Sequence, residues 1–231
     1  MLKKNYQYTV LVFICGLVFP AVALEAQTRI MDVQVYYISR EAQTDPQLEI
    51  FAHRLLTAAE AKINTEILPP SARLEFRIIG FTPWDPPDPV TYEVRGKGTV
   101  TDYNDLLSRL RLTSSRFPAN QFLLALTRGH IGFWNESSNR AYAAFGAIDQ
   151  NDRSRILLAE CGNRSLSALL SSFLHELGHM AEVPDRYDDV CKKKADIMCK
   201  NTNERELRPI FNIRYRKSFH AFIWFLRAKI Q

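Results

Sequence analysis

His175 and His179 stand four residues apart in the stretch His175-Glu176-Leu177-Gly178-His179. Residues at that spacing share one face of a helix, so the two imidazoles can grip a single metal ion together. Glu176 follows the first histidine directly and is turned away from the shared face. It reads as a base that takes a proton from a water beside the ion, not as a third ligand. The metal this chemistry points to is Zn2+. The plainer reading is a helix with two surface histidines, and the neighbouring residues decide between the two.

Those neighbours describe a helix packed on a core. Leu166, Leu169, Leu170, Phe173, Leu174 and Leu177 recur at intervals of three and four, which is the apolar stripe of a buried helix. Asn163 or Ser165 can cap its start. The histidine pair therefore falls late on a helix that the core holds rigid, where a metal site of fixed geometry belongs.

A catalytic zinc site takes three protein ligands and keeps one position open. Asp185 lies beyond His179 and just past Pro184, which cannot continue a helix, so the chain must turn back to bring the carboxylate to the histidines. Here the sequence resembles the metzincin clan of zinc peptidases, with its pattern H-E-x-x-H-x-x-G-x-x-H/D and a later methionine turn. Within the clan it looks most like the small secreted snapalysin-type enzymes, whose third ligand is Asp. Val183-Pro184-Asp185-Arg186-Tyr187 matches their L-P-D-x-Y segment, and Cys191 and then Met198 follow. The resemblance covers about residues 120–200. It implies zinc held by His175, His179 and Asp185, Glu176 as general base, Tyr187 as donor to the oxyanion, and Met198 beneath the site without touching the metal.

The resemblance further implies a metzincin-like zincin of the α+β or α/β class. Such a fold has a twisted mixed sheet, a backing helix, an active-site helix, and a small C-terminal lobe that ends in a helix. One position departs from the pattern. The family has Gly where this chain has Glu182, and a Glu held at positive φ costs roughly 1 kcal/mol. Glu204 in Asn203-Glu204 resembles the downstream Asn-Glu of thermolysin-like peptidases and is the competing third ligand.

Residues 1–23 read as a secretory signal. Lys3 and Lys4 give a positive start, Thr9 to Phe19 is apolar, and Ala21-Val22-Ala23 offers small residues for cleavage. The expectation is a secreted or periplasmic protein, with an uncleaved membrane anchor as the alternative. Residues 24–231 then form one peptidase domain, with an upper lobe at about 27–180 and a lower lobe at about 181–231. A strand reading from Arg29 leaves no room for a pro-segment. Removing Lys3 and Lys4 lowers the formal charge from +5 to +3, too modest a bias for a nucleic-acid partner. The expected partner is a protein or peptide substrate, met by a monomer. Outside the signal stand Cys161, Cys191 and Cys199, an odd count for an exported chain. A Cys191–Cys199 bridge would staple the segment around Met198, and Cys161 could compete for either partner.

Along the remaining chain, periodicity predicts strands at 32–38, 74–79, 121–126, 141–147 and 155–159, and helices at 48–63 and 103–112. Residues 82–89 hold four prolines and read as a rigid loop. The strand at 141–147 resembles the edge strand that metzincins lay beside their substrate. From about Asn203 an amphipathic basic helix is expected, either packed on the core or touching a membrane surface weakly. A non-catalytic binding protein on the same fold is the second functional class, and a membrane-tethered peptidase the third.

Overall fold

The computed structural model describes residues 27–39, 45–114, 117–118, 120–185 and 197–199. The first strand, β1 (Gln27–Ile38), alternates in burial, with Met31, Val33, Val35 and Tyr37 pointing into the core. The helix α1 (Pro46–Glu66) follows. Asp45 caps it by accepting from the backbone N–H groups of Gln47 and Leu48. It lays Leu48, Ala52, Leu55, Leu56, Ala59 and Ile63 against the sheet. The strand β2 (Ala72–Trp84) returns parallel to β1, as a crossover through a helix requires.

A hairpin comes next, β3 (Thr91–Val94) and β4 (Gly98–Asp102), followed by α2 (Tyr103–Thr113). Asp102 ends β4 and caps α2 in one residue, accepting from Asn104 and Asp105 N–H. Then come β5 (Gln121–Thr127), β6 (Ile131–Asn135), β7 (Arg140–Ala144), β8 (Gly146–Ile148) and β9 (Arg155–Leu158). The last described helix is α3 (Leu166–Met180), capped by Ser165, whose hydroxyl accepts from Ala168 N–H.

These elements build a mixed α/β fold with two mixed sheets. The first has the order β2-β1-β5-β9-β8, and only its edge strand β8 runs antiparallel. The second has the order β3-β4-β6-β7, with a parallel join between β4 and β6. Both faces of the first sheet are covered. One packs on α1 and α3, where Phe76, Phe122 and Phe173 meet with ring centroids 6.0–6.2 Å apart. The other packs Leu123, Ala125, Leu157 and Ala159 against Leu106, Leu107 and Leu110 of α2. That is why β5 and β9 read as unbroken apolar runs instead of alternating.

Two expectations need correction, and three strands fall where none was expected. The single strand at 141–147 is two strands in different sheets, because the chain bends at Phe145, whose carbonyl accepts from Ala159 N–H. The proline-rich loop starts later than expected, since β2 runs through Pro83 to Trp84 at the edge of its sheet, where a missing N–H costs no ladder bond. The strands β3, β4 and β6 carry no clear apolar alternation, and the β3–β4 turn depends on Gly96 and Gly98 at φ +78 and +73. Tyr187, Cys191 and Glu204, with the residues expected to form a signal segment and a C-terminal helix, lie outside the described residues. Among those described, no helix is long and apolar enough to cross a membrane.

Phe173 carries α3 into the core and is fully buried. Phe173→Ala is expected to lower stability by about 3–5 kcal/mol. Leu112→Ala, at a residue 84% exposed, should stay within about 0.5 kcal/mol. Urea unfolding of both variants measures the difference.

Candidate metal centre

The helix α3 presents two kinds of surface. Leu169, Phe173, Leu174 and Leu177 are buried as the stripe predicts, and Leu166 and Leu170 pack partly against them. His175 and His179 lie on a neighbouring flank, their side chains 18% and 19% exposed, so one side of the pair is accessible. Their rings meet edge to face with centroids 4.7 Å apart.

The end of α3 brings in the third group. Val183 N–H donates to Gly178 O and Glu182 N–H donates to His179 O. Together these bonds make the Schellman turn that closes many helices. Such a turn needs one residue in the left-handed region, and here that residue is Glu182, at φ +62. The departure from Gly noted in the sequence therefore leaves the turn in place. The reversal buries Val183 and returns Asp185 to the helix face. Asp185 Oδ1 stands 3.2 Å from His175 Nε2 and 3.3 Å from His179 Nε2. The two Nε2 atoms are 3.1 Å apart.

These distances test the fit to an ion. Ligand atoms at about 2.0–2.1 Å from a tetrahedral Zn2+ stand about 3.3 Å from one another. Each ring also has its far nitrogen engaged. His175 Nδ1 donates to Ile197 O at 2.8 Å and His179 Nδ1 to Val183 O at 2.9 Å. A backbone carbonyl cannot donate, so the Nδ1 proton is fixed and Nε2 of the neutral ring carries a lone pair. Two lone pairs and a carboxylate oxygen then point at one another. Protonating both Nε2 atoms would instead set two N–H groups in conflict. A shared cation satisfies all three donors, and His175, His179 and Asp185 are the group among the described residues with metal-binding geometry.

Electrostatics follow the same geometry. For Asp185, burial would raise the carboxyl, but the two imidazoles outweigh it and hold the group far below the usual carboxylate range. For His175, burial alone would lower the ring, yet Asp185, Glu176 and the Ile197 carbonyl bring the net shift upward. Glu176 is fully enclosed. Burial pushes its carboxyl up, against the pull of both histidines, and Asp185 adds to the rise. A carboxylate raised in this way is a better proton acceptor than one in water.

Several site residues carried no sequence signal. Gly146 on β8 lies against Glu176, and a Cβ there would come within 3.0 Å of Glu176 Oε1. The carbonyls of Val183 and Ile197 orient the histidines, and a backbone group is invisible to residue type. Tyr103, at the start of α2, packs its ring on Phe133 at 5.6 Å. Burial first, then Glu176, Asp102 and Asp185, push its phenol up, so the ring lies within electrostatic reach of the site.

Met198 is fully buried in the main core beside Ile197. Cys199 is disulfide-bonded, and Cys161 is a free, buried thiol. Cys161 therefore does not compete for the bridge, and the partner of Cys199 lies outside the described residues. Burial pushes the Cys161 thiol up to about 12. No protein-family model matches this chain, and no curated protein gives a significant sequence match.

Two substitutions separate turn from site. Glu182→Gly should raise stability by about 1 kcal/mol in urea unfolding and leave the metal content of the protein unchanged. The Glu182 side chain is 84% exposed with Arg153 3.7 Å away, so little else is lost. Gly146→Ala should leave the metal content of the protein unchanged, read by elemental analysis, and displace the Glu176 carboxylate, read as a shift of its side-chain carboxyl NMR signal.

Proposed function

We propose that this chain is an exported zinc-dependent endopeptidase of metzincin-like architecture. The observation that carries the reading is the convergence of His175 Nε2, His179 Nε2 and Asp185 Oδ1 within 3.1–3.3 Å beside an enclosed glutamate that is not one of the three. A site built only to hold metal for structure closes all its positions with ligands and has no need of a base. The first sheet supports the same reading. Four parallel strands end in one antiparallel edge strand, β8, set against the metal-site helix. An edge strand can receive an extended peptide through its own backbone groups.

Zinc held by these residues would supply Lewis acidity and bring the pKa of a bound water toward 7. The chain does the rest. Ile197 and Val183 fix the histidine tautomers. Glu176 takes the proton as the water oxygen attacks the peptide carbonyl, then delivers it to the departing amide nitrogen as the C–N bond breaks. Gly146 leaves room for that carboxylate. Tyr187 is assigned the oxyanion donor by resemblance alone. Export rests on the signal-like residues 1–23.

Glu176→Ala is expected to keep one zinc per chain and lose several orders of magnitude in turnover. Elemental analysis beside a peptide-library digest reads both. Equal activity in variant and parent overturns the mechanism, and zinc binding with no digestion by the parent supports a binding protein instead. Asp185→Ala should strip zinc where Glu204→Ala does not. The reverse result makes Glu204 the third ligand.

A further inference from the structure

The second sheet carries a row of aromatic rings that the reaction does not use. Phe133 on β6 and Tyr142 on β7 are register partners, so both project from the same face of the sheet. Their rings stack at 5.7 Å and 24°. Tyr103 adds a third ring, 5.6 Å from Phe133. Deeper on that face, Ile131 and Ala144 are paired and pack toward α2. The row thus begins beside the core at Tyr103 and ends at Tyr142, which is 41% exposed.

Its place in the chain links it to the metal centre. Tyr142 is in β7, and the same stretch of chain bends at Phe145 and enters β8, where Gly146 touches Glu176. Four residues separate Tyr142 from Gly146, and with the bend between them the two lie within about 13 Å, at roughly 3.3 Å per residue. At the other end of the row, Tyr103 feels the charges of Glu176 and Asp185. A peptide lying along β8 with its reacting bond at the metal centre would bring a side chain several residues away over Phe133 and Tyr142. A stacked ring pair with an exposed outer face rewards apolar contact there.

We propose that Tyr103, Phe133 and Tyr142 form a remote subsite that takes a large apolar side chain about four residues from the bond to be cut. The occupant rests on the peptidase reading above. The subsite makes the enzyme one that favours long, extended substrates, because binding energy gained far from the reacting bond holds the peptide in place for it.

The test uses zinc-containing buffer and Glu176→Gln protein, so that binding is read without cleavage. Calorimetry measures peptides of about ten residues, long enough at roughly 3.3 Å per residue to reach both places. Each pair of peptides carries Leu or Asp at one position three to five residues from the centre, on either side. At one of these positions Leu should bind about tenfold tighter than Asp. Tyr142→Ala should abolish that preference. Tyr142→Phe should keep it, since it loses only the hydroxyl bond to Ser138. Trp134→Ala should also keep it, because Trp134 is as exposed but lies on the opposite face against Tyr92.

A preference that is absent in the parent, survives Tyr142→Ala, or vanishes in Trp134→Ala overturns the subsite. Binding with the preference but no cleavage by the unmutated protein overturns the peptidase reading and leaves the subsite standing. Cleavage without the preference does the opposite, and no peptide binding at all overturns both.

Discussion

Everything in the metal centre depends on one reversal of the backbone. A helix alone can align two imidazoles, but it cannot supply a third ligand to the same point, because the next residues on that face lie farther along the axis. The turn at 181–183 solves this by folding the chain back within one helical pitch. Its two backbone bonds, Val183 to Gly178 and Glu182 to His179, set the direction in which Pro184 and Asp185 emerge. The same turn offers the Val183 carbonyl to His179. One local structure therefore brings Asp185 to the histidines and fixes the orientation of His179.

The reversal would have little value on a loose helix. The helix α3 is held by Phe173 between Phe76 and Phe122, and by Leu169, Leu174 and Leu177 in the larger core. The short segment Ile197–Cys199 closes the site from below, with Met198 in that core and the Ile197 carbonyl on His175. Packing and the turn together hold the Asp185 carboxylate against both imidazoles, which keep it ionised.

Much of this was legible in the residues. The apolar stripe and the four-residue spacing predict α3 and the pairing of its two histidines without any fold in view. Pro184 and Asp185 predict a turn and a return, and the structure brings Asp185 to both histidines. The long strands and both earlier helices are legible from their apolar patterns. The remainder was hidden for physical reasons. The strands β3, β4 and β6 are only four or five residues long, so little periodicity can build up in them. The break at Phe145 depends on which sheet each half joins, a long-range choice that no local window contains. Gly146 and the two orienting carbonyls matter through what approaches them.

Cys161 has a consequence for how the fold can be observed. It is enclosed between the end of β9 and α3, and burial raises its thiol to about 12. At neutral pH such a thiol stays protonated. A thiol in that state ignores oxidants and disulfides around it while the core stays closed. Its rate of labelling by an alkylating reagent then counts openings of the protein interior. The chain carries its own clock for core breathing, placed on the helix side of the sheet that supports the metal centre.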